Sequence, residues 1–215
     1  GATYPYGMVQ FTPSYFSKRS GFVINQLSGG GCEHMGNFPT FPVKGKLKMS
    51  PDNILNYRIN ISEEKGHAGY YEAKVQEDIH AKLTVTERTG MASYEYPADQ
   101  QYGTVIIGGG ISATPIEQAA IVITAPNKCE GYAEGGNFCG LRTPYKVYFV
   151  AEFDTDALES GTWKRNELKP NTTFAEGEYS GVYFTFDVNK KKNIQYKIGV
   201  SYVSVENARE NLKAE

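Results

Sequence analysis

Histidine and cysteine are scarce, no long apolar run occurs, and neither sign of charge dominates; each shortage removes a class of function. Without a run of about 18 apolar residues no transmembrane helix is expected, and no signal peptide precedes Tyr4. Lysine and arginine number 22 against 24 acidic residues, a net charge of −2, so the basic stripe that nucleic acid needs is missing. Neither nucleic acid nor membrane insertion is therefore expected. Cys32, Cys129 and Cys139 match no zinc spacing, and His34, His67 and His80 do not stand at ligand intervals from them, so no metal site is expected within the chain. There is no Gly-x-Ser-x-Gly elbow for a serine hydrolase. Gly108-Gly109-Gly110 lacks both the spacing of a dinucleotide fingerprint and a surrounding βαβ unit, and reads as a turn. Acidic residues are scattered through turns and solvent faces, among them Glu63, Asp78, Asp154 and Glu176, and nothing selects a pair as general acid and base.

What is present is period-two alternation and tyrosine. The chain has 215 residues, 40% of them hydrophobic, and 16 are tyrosine. Met8 to Phe11, Gly21 to Leu27, Val43 to Met49 and Tyr57 to Ile61 read as strands. Tyr71, Ala73 and Val75 followed by Ala81, Leu83 and Val85 read as a hairpin. Further strands are expected at Ala92–Tyr96, Val105–Ile107, Ile121–Ile123, Tyr145–Phe153, Thr162–Lys164, Val182–Val188 and Ile194–Tyr202, with Lys190 to Lys192 as a hairpin turn. About a dozen short strands with hardly any helical period indicate an all-β fold, a large two-sheet antiparallel β-sandwich. Only the end departs: Ser204 is placed to cap a helix from Glu206 to Glu215, with Val205, Ala208 and Leu212 on one face. No glycine or proline follows Leu212, which is the expectation for a helix that continues beyond Glu215.

Two glycine-rich segments interrupt the alternation. In Gly21–Pro42, Ser28 is followed by Gly29, Gly30 and Gly31, then Cys32, Glu33 and His34. Three glycines in a row lose much backbone entropy on folding, which suggests positive φ or close approach of the backbone to another group. A polar loop at the mouth of a site and an ordinary connection between strands both remain open. Cys32 beside Glu33 and His34 could be a thiolate nucleophile, or a small packing residue at a loop base. The second segment, Cys129 to Gly140, reads as a loop of similar character, and its Tyr132 and Phe138 are the aromatics first placed at a ligand surface. Cys129 and Cys139 could close a short disulfide or stay as free thiols; an odd count leaves one over.

The segments GATYPYGMVQFTP, GFVINQLSGGGC with GNFPTFP, GYYEAKV with AKLTVTERTGMASYEYP, GGNFCG and KIGVSYVSVENARENLKAE span nearly the whole chain in that family's order and resemble the N-terminal β-sandwich domain of glycoside hydrolase family 92. That family comprises calcium-dependent, exo-acting α-mannosidases. The sequence departs from it at Ile24, Asn25 and Gln26, where the family often carries histidine, and lacks the glycine-rich segment that normally precedes its opening strand. The resemblance implies a galactose-mutarotase-like supersandwich over residues 1–203, with 204–215 beginning the linker to a C-terminal (α/α)6 barrel. It implies hydrolysis of α-mannosidic linkages, such as α-1,2, with inversion, in a cleft between the two domains. The catalytic carboxylates and most calcium contacts belong to the barrel, so no catalytic residue and no cofactor are expected in this chain. The matching positions carry over as the sandwich's share of the sugar pocket: Ser28, Gly29, Gly30, Gly31, Cys32, Asn137, Phe138 and Cys139, with His34 as a lesser candidate. The expected partners are a mannose-containing glycan and the barrel of the same polypeptide, in a secreted, periplasmic or cell-surface bacterial setting. A stand-alone carbohydrate-binding module and a purely structural sandwich are the competing readings.

Overall fold

The computed structural model describes residues 1–14, 21–27, 31–32, 34–52 and 60–215; Ser28, Gly29, Gly30, Tyr57 and Ile59 lie outside them. Among the described residues, 17 strands numbered in chain order form two sheets. The first sheet runs β1 (Ala2–Thr3), β2 (Gln10–Pro13), β3 (Phe22–Val23), β4 (Thr40–Lys44), β9 (Tyr102–Gly108), β16 (Ser180–Asp187), β13 (Glu159–Lys164) and β14 (Glu167–Pro170). The second runs β15 (Phe174–Glu176), β10 (Ile116–Ala125), β11 (Lys128–Gly135), β12 (Tyr145–Phe153), β17 (Asn193–Ser201), β8 (Thr89–Glu95), β7 (Ile79–Val85), β6 (Tyr70–Val75) and β5 (Ile61–His67). Neighbouring strands pair antiparallel throughout both sheets. The expected two-sheet sandwich is the fold.

Alternation builds the core. On β7, Ile79, Ala81, Leu83 and Val85 are buried while Lys82 and Thr84 face solvent. Inward-facing rings from the two sheets meet across the middle: Phe153 lies 4.9 Å from Phe184 and 5.1 Å from Phe186, and Phe22 stacks 6.2 Å from Tyr94. Each such ring removes roughly 150–250 Å² from water, which makes these contacts the main hold between the sheets.

Several expectations shift. The Lys190–Lys192 turn forms, with Asp187 O accepting from Lys190 N at 3.2 Å, but it is not a hairpin: β16 pairs β9 in one sheet while β17 pairs β8 and β12 in the other. The chain turns a corner between layers, because Phe184 and Tyr196 both point into the core from opposite sides. After Pro42 the expected strand to Met49 stops at Lys44, and Leu47 packs instead on a second cluster of Phe41, Ile106, Trp163 and Tyr183 outside the first sheet. The segment Cys129–Gly140, expected as a loop, is strand β11 as far as Gly135. Its glycine serves close approach: a Cβ on Gly131 would sit 2.2 Å from Ala120 O of the neighbouring strand.

The C-terminal helix α1 (Val205–Lys213) forms as expected, with Ser204 Oγ accepting from Asn207 N at 3.1 Å and Glu206 in the first turn. Ala208 and Leu212 bury against Val150 on the outer face of the second sheet. Gly199 of β17 permits this contact, since a Cβ there would lie 2.6 Å from Ala208 O. Polar locks complete the seat: Asn211 Nδ2 donates to Val200 O at 2.7 Å, and Arg209 forks onto Glu130 of β11, with Nε to Oε2 at 2.9 Å.

Candidate functional site

The described parts of four connections converge at one end of the sandwich: residues 24–27, 31–32 and 34–39 between β3 and β4, 109–115 between β9 and β10, 136–144 between β11 and β12, and 202–204 between β17 and α1. A disulfide joins the first to the third, Cys32 to Cys139 across 107 positions of sequence. Of the two alternatives left open for Cys129 and Cys139, a short disulfide between them is excluded, and the free thiol holds for Cys129 alone. Cys129 instead faces the core of β11 as a fully buried free thiol, while Cys139 stands out on the loop. With its sulfur bonded, Cys32 offers no thiolate.

The first connection carries a strained turn. Met35 (φ 58°) and Phe38 (φ 53°) lie in the left-handed region, as does Gly36. For a side-chain-bearing residue that conformation costs about 1–3 kcal/mol and persists only where the surroundings over-determine it. Here they do. Ala113 N donates to Met35 O at 2.8 Å, and the Phe38 ring is fully buried 4.2 Å from Phe149. Asn25 and Asn37 clasp each other: Asn37 N donates to Asn25 Oδ1 at 2.8 Å, and Asn25 Nδ2 donates to Asn37 Oδ1 at 3.1 Å. The same Asn37 oxygen accepts from the Tyr145 hydroxyl at 2.7 Å, and Asn25 Nδ2 also reaches the Tyr202 hydroxyl at 3.2 Å.

The third connection ends in a tight turn, with Phe138 and Leu141 exchanging backbone hydrogen bonds of 2.8 and 2.9 Å. Its central residues, Cys139 and Gly140, have φ of 51° and 86°, as a type I′ turn requires. Phe138 then meets His34: the imidazole stands edge-on to Phe138 at 5.1 Å and to Tyr145 at 5.6 Å. His34 is buried, and its Nδ1 has no hydrogen-bond partner among the described residues; the same holds for Gln26 Oε1, Asn37 Nδ2 and Thr114 Oγ1.

Burial pushes the Tyr145 phenol up to about 12 against an opposing hydrogen bond to Asn37, and burial likewise raises Tyr202. Both are neutral hydroxyls at physiological pH. Among the described residues, two carboxylates near this end are engaged: Glu117 receives the Arg142 fork at 3.2 and 3.0 Å, and Glu134 pairs with Lys146 at 3.4 Å. Among the described residues no three His, Cys, Asp or Glu side chains converge on a possible cation, so these residues alone do not fit a calcium cage of six to eight oxygens. The end can bind by hydrogen bonds, ring contacts and shape.

Of the residues singled out in the sequence, Gly31, Cys32, His34, Asn137, Phe138 and Cys139 are gathered here. Asn137 and Cys139 are exposed, Cys32 and Phe138 half-buried, and His34 buried. Tyr132, expected at the ligand surface, is not among them. It sits on strand β11 with Lys146 Nζ 4.2 Å over its ring and Tyr148 at 6.1 Å. The sequence reading missed Asn37, Tyr145 and Tyr202. Asn25 and Gln26, polar residues within an apolar run, were the available signal. A surface groove of about 680 Å³ lies elsewhere, beside α1 between Met91, Glu152, Lys197 and Lys213, and contains none of these loop residues.

A search of curated proteins finds no match. Among solved structures, the GH92 α-mannosidase BT3965 from Bacteroides thetaiotaomicron, also solved in complex with mannoimidazole, superposes with a TM-score of 0.84 at 23% identity over 100% of this chain and 32% of that one. The GH92 glycosyl hydrolase ccman5 is similar with a TM-score of 0.83 at 20% identity, over 97% of this chain and 31% of its own. The GH92 inverting mannosidase BT2199 from Bacteroides thetaiotaomicron VPI-5482 reaches 0.74 at 21%, over 100% and 30%. The chain thus spans about a third of the length of these structures. The profile of the "Glycosyl hydrolase family 92 N-terminal domain" matches residues 1–201, and with the sandwich in place the chain belongs to glycosyl hydrolase family 92, as its N-terminal domain.

Proposed function

We propose that this chain is the sandwich half of an exo-acting α-mannosidase that hydrolyses α-mannosidic linkages, such as α-1,2, with inversion. In this reading Asn137, Phe138 and His34, with the loop from Ser28 to the Cys32–Cys139 bridge, form one wall of the sugar pocket. The single observation that carries it is the gathering of these loops, 107 residues apart in sequence, into one cross-linked end. The family assignment, with BT3965 an α-mannosidase and BT2199 an inverting mannosidase, supports the substrate class. The acid and the base lie on the C-terminal (α/α)6 barrel of the same polypeptide, spaced roughly 6.5–9.5 Å apart to admit the attacking water. Calcium enters on family resemblance, with its ligands on that same barrel.

The test compares this chain alone with the chain joined to its downstream region, each with calcium and an α-1,2-mannobiose substrate. Release of mannose only from the longer polypeptide is the expected result. Turnover by the 215 residues alone would sink the assignment of the chemistry to the barrel. A stand-alone carbohydrate-binding module is the second reading, favoured by the half-exposed Phe138 on a disulfide-held loop. Calorimetric titration with mannose or mannobiose distinguishes it: heat at millimolar sugar from this chain supports a module, and none counts against it.

A further inference from the structure

Hydrogen bonding at the loop end runs deeper than the exposed wall requires. Fully buried Asn37 accepts from two side chains through one oxygen, Asn25 at 3.1 Å and Tyr145 at 2.7 Å, while its backbone N–H is taken by Asn25 Oδ1. Asn25 passes the connection to Tyr202 at 3.2 Å, a residue 177 positions away in sequence. Tyr202 lies two residues before the helix cap Ser204, and neighbouring Ser201 Oγ accepts from Val203 N and bonds Asn207 Oδ1, each at 2.9 Å. A continuous path therefore runs from the strained turn that follows His34 to the first turn of α1.

We infer that Asn25, Asn37, Tyr145 and Tyr202 are positioning residues, which hold the His34–Phe138 wall in shape and couple it to the segment entering helix α1. Two features separate this from ordinary core satisfaction. The turn it braces is strained at Met35 and Phe38, so relaxed alternatives compete as soon as the brace weakens. Tyr145 also serves both sides of the wall, since its hydroxyl holds Asn37 while its ring backs His34 at 5.6 Å. None of the four touches the reacting atoms in this scheme; they act through His34 and Phe138. The inference rests on the sugar-pocket reading for its functional consequence, though its structural half stands alone.

Tyr202→Phe is the first probe, because the partly exposed ring can stay while only the hydroxyl is lost; Tyr145→Phe is the second. Amide hydrogen exchange on this chain is expected to quicken about tenfold at residues 34–38 and 138–141 while the amides of β9 and β16 keep their rates, the effect of one hydrogen bond. In the longer polypeptide, KM for α-1,2-mannobiose should rise about five- to tenfold with kcat within about twofold, the mark of a lost binding geometry. Unchanged exchange in both variants, or a lowered melting temperature with unchanged KM, overturns the positioning role. A wild-type polypeptide that cleaves no α-mannoside defeats the mannosidase reading instead, and the exchange rates then decide the network alone.

Discussion

The two glycine-rich segments, 21–42 and 129–140, look alike in sequence and fold in opposite ways. The first leaves strand β3 early and wanders through bridges and left-handed residues before rejoining as β4. The second is mostly ladder: eight residues of β11 pair on both sides, and only its last few make a turn. Glycine content therefore did not predict loop character. What separates them is the use of the missing Cβ, which in β11 lets strands approach and in the first segment accompanies a strained turn held by side chains. The disulfide then joins the irregular segment to the tip of the regular one.

Removing the apolar anchor of the first segment should have the largest effect. Phe38→Ala, which empties a fully buried site against Phe149, is expected to cost about 3–5 kcal/mol in denaturant unfolding. A loss below about 1 kcal/mol would show that the strained turn is not anchored through its ring. Next comes the cross-link. Cys139→Ser should cost about 2–4 kcal/mol, and reductant should lower the melting temperature of the wild type but not of this variant. Equal sensitivity to reductant in both would break the pairing described here.

The second segment is sharpened by Gly131→Ala, expected to cost about 1–3 kcal/mol through a clash with the neighbouring strand's carbonyl. A neutral result would mean the ladder gives way and that the glycine is incidental. A pH profile probes the buried hydroxyls at the site. Tyr145 keeps its proton up to about 12 when folded, whereas an ordinary tyrosine loses it near 10.0. Above that lower value the unfolded chain releases a proton that the folded chain retains, so stability falls as pH rises across this window. Melting temperatures from pH 9 to pH 12 should fall less steeply in Tyr145→Phe than in the wild type; parallel slopes would argue against the burial of that phenol. The smallest effect belongs to exposed Asn137. Asn137→Ala should leave stability within about 0.5 kcal/mol while weakening glycan binding in the longer polypeptide, as calorimetry would show.

Much of the sandwich was legible because period-two burial is a local signal: Leu83 and Val85 on β7, or Ile194 and Tyr196 on β17, declare their inward face without reference to a partner. The helix was legible for the same reason, since Ser204 and Glu206 act within one turn. Strand ends were less so. Met8–Phe11 proved to be Gln10–Pro13, and Gly21–Leu27 shrank to Phe22–Val23, because Asn25 belongs to the loop-end network and Gln26 pairs with Met35 only in an isolated bridge. Of the residues gathered at this end, Cys32, His34, Phe138 and Cys139 were singled out in the sequence, whereas of those that brace them Asn25, Tyr145 and Tyr202 lay in segments read as strand and Asn37 in the glycine-rich segment.

Sequence alone determined an all-β chain with alternating faces, a capped terminal helix and a family signature, because each depends on residues a few positions apart. Tertiary structure decided which sheet each strand joins at the Lys190 corner, which cysteine finds which, and how Asn25 meets Tyr202. Those choices link groups 107 to 177 positions apart. No local propensity encodes such distances; they follow from closing two sheets over one apolar core, which brings four separate connections to the same end.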